Sequence, residues 1–450
     1  MAQIIAVLIA LLLVLIALKD KAHAFGVWLA ILMSHGVIVH YLGPGATNLP
    51  LFVGLALVPF LLWNKNGFYL DALPLFLLGL FLTVGAFSAL VNGGDFGAIK
   101  KLTVYGKPIL LCVLIMGGIE DRRTFLVIAG YIIASGVFGG LFNAYQQVLG
   151  MQLAQSWDPS LSRAAGLRGD PNDTAMLLLL TLPLAYVWLI NAQGLRRKAP
   201  AAASLLIIAA GVILTGSRAA FLVLAIVGLL LTFHQAHLRA RRVFALPGPK
   251  KLITAALVVA AAALTAPGYY WERVGTLVTG VEVGGAESLY GRQQLLKSSF
   301  DVWLNHPLLG IGPGEFRRTA GNVAHNMYLE FLAEFGFIGA MAVFGIFCIA
   351  MVRLAKLDTR FARSAGETRH LGFGYAVGLF AMLMMANTLS QGYNSVFWFV
   401  IGLGLAAKRH SSGVGRGQRA PGLLLERSRT MGSDRRFVEP EFSDPGTRIC

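Results

Sequence analysis

Apolar residues in this chain come in long blocks rather than in helical stripes, and short polar or basic clusters separate the blocks. A bilayer core about 30 Å thick needs about 20 apolar residues per crossing helix. By that ruler the pattern predicts spans near 2–18, 24–42, 49–63, 72–91, 102–118, 124–148, 173–190, 201–216, 217–234, 252–267, 327–352, 371–389 and 394–407. The expected fold is an all-α polytopic membrane protein with about 12–13 transmembrane helices, forming a single transmembrane domain over residues 1–408. Residues 409–450 are polar and rich in Gly, Ser and Arg, and that composition predicts a disordered cytoplasmic tail. The run 4–18 before Ala22-His23-Ala24 has no basic n-region, so it reads as a retained helix rather than a cleaved signal.

Composition removes the soluble alternatives. Of 450 residues, 56% are hydrophobic and only 13% charged, about half the charged share of an ordinary soluble domain. Mean hydropathy is +0.67. The net charge of +16 does not indicate a nucleic-acid partner, because the basic residues form no continuous stripe. They cluster at Arg196–Lys198, at Arg239–Lys251 and at Arg353–Arg369, as expected of cytoplasmic loops. Segments 149–172 and 268–325 then lie on the outer side, the second with five basic and five acidic residues. Lys100, Lys101 and Lys107 fall on that side too, against the rule. Cys112 and Cys348 sit inside apolar runs and are expected to be buried, and Cys450 is the last residue. No pair has metal-ligand spacing.

Candidate chemistry gathers on the outer side. Segment 149–172 carries Arg163, Arg168 and Asp170 just before an apolar span, where planar guanidinium groups can grip phosphate oxygens in pairs or simply snorkel. In Thr215-Gly216-Ser217-Arg218 a tight turn holds Arg218 at the interface, where arginine needs a carboxylate, phosphate or water partner. Further on come Tyr290-Gly291-Arg292, an expected helix over 293–304, and His306-Pro307-Leu308-Leu309-Gly310-Ile311-Gly312-Pro313-Gly314. Those glycines lack the Gly-Lys-Ser/Thr of a nucleotide loop and predict turns with positive φ instead. At the mouth of the next long span stand His325 and Asn326, with Tyr328 expected on the face of His325. Glu330 and Glu334 share another face, and each reads either as functional or as a satisfied structural group.

The ordered motifs "GLRGDPN", "TGSRAAFL", "YGR", "HPLLGIGPGEF" and "HNMYLEFLAEFG", spread over roughly residues 160–340, resemble the O-antigen ligase and polymerase family of bacterial membrane glycosyltransferases. The resemblance implies a GT-C-like fold in the inner membrane, with periplasmic loops at 149–172 and 268–325 and an active site facing the periplasm. In the ligases it further implies inverting transfer of a glycan from undecaprenyl diphosphate to lipid A–core, with no cofactor, metal or ATP. By this resemblance His325 matches the family's essential histidine, and Arg218 and Arg292 its essential arginines. Arg168 fits the Arg before Asp-Pro-Asn, Arg163 joins it as a substrate-binding candidate, and Tyr328, Glu330 and Asn326 are supporting positions.

The residues' own chemistry agrees. A glycosyl diphosphate already carries a good leaving group, so the site needs positive charge on the phosphates and a base for the acceptor hydroxyl. A neutral histidine suits the second role. A polymerase or protein-glycosylating relative would use the same residues with a different acceptor. A transporter of lipid-linked sugar would place polar groups near the midplane of repeated halves, and no repeat is visible.

Overall fold

The computed structural model describes residues 19–62, 68–92, 101–119, 121–149, 166–240, 289–358 and 370–408, with positions 8, 12, 15 and 16. The chain separates into two compact units, Met1–Ser411 and Ser412–Cys450, and every described residue lies in the first. The expected tail, the span at 252–267, most of the span at 2–18, and Arg163 lie outside the described residues.

The described elements are helical. They are α1 (Lys21–Met33), α2 (His35–Leu42), α3 (Leu49–Leu62), α4 (Ala72–Val91), α5 (Thr103–Gly118), α6 (Arg122–Leu149), α7 (Pro171–Asn191) and α8 (Leu195–Leu214). After them come α9 (Arg218–Ala240), α10 (Leu289–Asn305), α11 (Glu315–Ala320), α12 (Met327–Ala355), α13 (Leu371–Met385) and α14 (Ser395–Ala406). Short 3₁₀ turns occupy Pro44–Asn48 and Gly166–Arg168. Helices α4, α6, α7, α8 and α12 are each long and apolar enough to cross a membrane, and α1 with α2 makes a sixth candidate if the bent pair is one span. Among the described residues, five further apolar helical stretches have 10–17 residues. The chain is a multi-pass helical membrane protein.

Two expected spans are broken, for different reasons. The span at 24–42 bends by 68° between α1 and α2. Close approach explains what the bend achieves: a Cβ on Gly36 would lie 2.3 Å from the Arg168 carbonyl carbon, so α2 presses directly on the turn that carries Arg168. The span at 327–352 is interrupted at Gly336, whose φ of 62° is left-handed. Chain 306–312 fills the interruption. Phe337 N donates to Pro307 O (2.8 Å), Ile311 N to Ala333 O (2.9 Å) and Gly312 N to Glu334 O (2.9 Å). Irregular backbone inside a membrane helix survives only where protein satisfies it, and here it does.

The bundle is organised around α7, whose residues from Thr174 to Val187 are buried on every face. A helix apolar all round belongs in the middle. Helices α8, α13 and α6 pack on it, while α5 pairs with α14 and α4 with α12. Phe81, Tyr105, Phe331 and Phe335 form an aromatic core between α4, α5 and α12, with Phe81 stacked on Phe335 at 4.2 Å. Cys112 is buried as expected, but Cys348 is exposed: it sits on an outward face of α12, where a small apolar thiol can meet lipid.

Candidate active site at one end of the bundle

Four helices begin at the same end of the bundle, each with a polar residue at its first turn. Asp170 accepts from the N–H groups of Asn172 and Asp173 (2.8 and 3.0 Å) and starts α7. Ser217 accepts from Ala220 N (3.3 Å) and starts α9. Asn326 accepts from Tyr328 N and Leu329 N (both 3.0 Å) and starts α12. Asn394 accepts from Val396 N (2.9 Å) and starts α14. Each N-terminus carries partial positive charge, so together they favour an anion.

The turn between α8 and α9 uses Gly216 at a φ of 61° to reverse the chain and deliver Arg218 as the first residue of α9. Helix α10, which extends the expected 293–304 by about a turn at its start, brings Arg292 to the same place. Arg218 and Arg292 line one small polar cavity of about 30 Å³ together with Asn172, Gly216, Ser217 and Thr388. Two arginines more than seventy positions apart in sequence are thus brought together.

His325 precedes Asn326, so it stands outside the helix and does not share a helical face with Tyr328 as the sequence spacing suggested. It is half-buried with a φ of 52°, a left-handed conformation that costs a non-glycine residue about 1 kcal/mol or more. Asn326 fixes it in place: its Nδ2 donates to Asn387 O (3.2 Å), and Met327 N donates to Ala386 O (2.9 Å). Asn387 is the neighbour of Thr388 in the arginine-lined cavity, so one loop joins the two. Tyr328 turns away, and its hydroxyl donates to Leu383 O (2.7 Å), tying α12 to α13.

The carboxylates separate by surroundings. The Tyr105 hydroxyl donates to Glu334 Oε2 (2.8 Å), and the Gly314 and Phe316 backbone N–H groups support the same carboxylate, so Glu334 is a satisfied structural group. Glu330 is buried next to Ser390, yet its Oε2 has no hydrogen-bond partner among the described residues. Tyr393 stands in the electrostatic field of Glu330, Asp173, Arg317 and Arg168. Gln391 Nε2 donates to Asp173 Oδ1 (2.6 Å) and fastens the same loop to α7. Outside the spans, Glu315 is partly buried, which alone would raise its pKa. Hydrogen bonds and charge from Lys101 and Arg318 outweigh that and hold it below the ordinary carboxylate value.

Arg168 does not join Arg218 and Arg292. Its Nη1 donates to Leu32 O (3.0 Å), and it lines a separate, larger cavity. The glycines at 310, 312 and 314 have the expected positive φ values of 69°, 106° and 71°. Sequence reasoning missed the loop 386–394 between α13 and α14, which carries Thr388, Ser390, Gln391 and Tyr393. Its signal was Asn-Thr-Leu-Ser-Gln-Gly-Tyr-Asn, a polar run in a link that hydropathy left only four residues long.

Comparison with curated proteins returns no match. The family model described as O-antigen ligase (Wzy_C) matches residues 203–344, a stretch that includes Arg218, Arg292, His325 and both glutamates of α12. The match over residues 203–344 supports placing this multi-pass membrane protein with the O-antigen ligase family, and it supports ligase-type glycan transfer in general.

Proposed function

We propose that the chain transfers a glycan from undecaprenyl diphosphate to lipid A–core at the periplasmic face of the bacterial inner membrane. The observation that carries this reading is the convergence of Arg218 and Arg292 on one polar cavity between the starts of α7 and α9. Paired guanidinium forks there suit a diphosphate, and the helix N-termini add to the same field. As the bond from the anomeric carbon to the phosphate oxygen breaks, negative charge grows on the departing diphosphate, and the two arginines stabilise it.

His325 takes the proton of the acceptor hydroxyl as the new carbon–oxygen bond forms from the opposite face, which inverts the anomeric centre. The leaving diphosphate keeps its electron pair, and the imidazolium passes its proton to water. Asn326 holds the histidine against loop 386–394. Glu330, buried in the first turn of α12 beside Ser390 of loop 386–394, is the supporting carboxylate. Arg163 belongs with Arg168 as a cation of the 149–172 segment. The reading asks for no cofactor, because the arginines supply the charge that a metal would otherwise bring.

The test is in vitro: purified full chain, lipid-diphosphate glycan and lipid A–core, with EDTA present. A glycan-bearing lipid A–core product supports the proposal. A lengthening lipid-linked chain, with the acceptor untouched, assigns the protein to polymerisation instead.

A further inference from the structure

Arg168 lines a cavity of about 310 Å³ that the transfer site does not use. Two cations from two elements meet there, Lys107 from α5 and Arg168 from the turn before α7, beside His35 of α2, whose Nε2 is bonded to the Thr47 carbonyl (3.1 Å). Tyr393 and Ser395 close the polar end. The remaining wall is apolar, built from Trp28, Leu51, Leu55, Leu110 and Leu114 along α1, α3 and α5. Leu55 is 50% and Leu110 48% exposed, so this wall opens sideways onto the surface that faces the bilayer. A cationic head region running into a lateral apolar wall has the shape of an amphiphile.

We infer that this cavity is a second binding site, separate from the Arg218–Arg292 cavity, for the phosphorylated headgroup and first chain segment of a membrane lipid. Lys107 is the decisive residue. Alone, one turn inside an apolar helix, it would be a snorkelling side chain. It instead converges with Arg168, which α2 positions through the close contact at Gly36. The inference rests on the glycan-transfer reading, since that reaction brings together two lipid-borne substrates. Two features stand between the cavities: the turn 168–172, with Arg168 in one and Asn172 in the other, and the loop carrying Tyr393 and Thr388. A donor and an acceptor held in adjacent cavities would meet across those two segments. A free phosphate would satisfy the cations but leave the apolar wall unused.

The experiment uses the full chain in phosphatidylcholine nanodiscs and a diazirine-bearing dodecyl phosphate, with crosslinks mapped by mass spectrometry. Expected labelling falls on residues 51–55 and 110–114 and is displaced by unlabelled dodecyl phosphate, but not by dodecanol or inorganic phosphate. Lys107→Gln should reduce labelling about tenfold, the loss of one charge-assisted hydrogen bond, and Lys107→Arg should restore it. Arg218→Gln should leave labelling at 51–55 intact. The readout needs no glycan transfer, so a chain without ligase activity can still pass. Equal labelling in Lys107→Gln, displacement by dodecanol or inorganic phosphate, or crosslinks confined to other helices would each overturn the assignment.

Discussion

Glu330 and Glu334 sit one turn apart on α12, both buried, and they have opposite fates. Glu334 is enclosed: the Tyr105 hydroxyl and the backbone of Gly314 and Phe316 satisfy it, where chain 306–316 folds into the break at Gly336. Glu330 faces loop 386–394, and one of its oxygens is left without a hydrogen bond among the described residues. A buried polar atom left unsatisfied costs roughly 1–3 kcal/mol, so it calls for a reason. The contrast teaches that a glutamate inside a membrane helix is not functional by virtue of depth. The deeper of the two is the structural one.

The largest expected effect breaks the structural side. A Cβ on Gly336 would lie 2.3 Å from the Leu308 carbonyl, at a φ only glycine adopts freely. Gly336→Ala should cost about 3 kcal/mol or more through strain and the displaced 306–312 chain. Thermal unfolding in detergent, followed by size-exclusion chromatography, reads it. A midpoint equal to wild type would mean that the break at Gly336 is not required.

The next prediction sets the glutamates against each other. Glu334→Ala strands the Tyr105 hydroxyl in the core and should destabilise by about 2–3 kcal/mol. Glu330→Gln should stay within about 0.5 kcal/mol of wild type, because it breaks no hydrogen bond of Oε2, yet lower glycan transfer. Equal stability losses in the two variants would erase the distinction.

How much of this was legible beforehand depends on the kind of interaction. Long apolar blocks dominate local hydropathy, so most helix ends from 49–63 to 394–407 fall within about three residues of the expected spans. By contrast, α8 starts at Leu195 rather than 201, α9 runs to Ala240 rather than 234, and α13 stops at Met385 rather than 389. Arg218 stands out because it interrupts such a block, whereas Arg292 and His325 lie in the polar segment 268–325 and are singled out by the resemblance of Tyr-Gly-Arg and His-Asn. Long-range partners are marked by neither signal. Nothing local links Tyr105 to Glu334, or Gln391 to Asp173, across more than two hundred residues. The glycines of 310–314 announced tight turns, but not that those turns would dock in a helix break, since Gly336 looks like any glycine in an apolar run. Lys101 and Lys107, which run against the expected charge pattern, each meet residues that no local pattern announces. Lys101 pairs with Glu315 at 2.5 Å, and Lys107 lines a cavity with Arg168.

A smaller effect follows from that Glu315 pairing. The native pKa of Glu315 lies below its unfolded value, so its contribution to stability is complete above about pH 4.3, the unfolded glutamate value. It is lost as pH falls through the lowered native value. Wild type should therefore lose stability below about pH 4 more steeply than Glu315→Gln. Parallel pH profiles of the thermal midpoint would show that the Lys101–Glu315–Arg318 cluster contributes nothing.

The central claim divides labour at the end of the bundle: arginines hold the lipid diphosphate, and His325 moves the proton. The most direct measurement pairs transfer rate with donor binding in His325→Ala and Arg218→Lys, each checked for an unchanged unfolding midpoint. Removing a general base costs about 10²–10⁴-fold in rate, so His325→Ala should bind donor normally and lose transfer by that factor. Arg218→Lys keeps the charge but loses the fork, and should weaken donor binding as well as transfer. Near wild-type transfer by His325→Ala, or a loss of donor binding in that variant with binding intact in Arg218→Lys, would contradict the account.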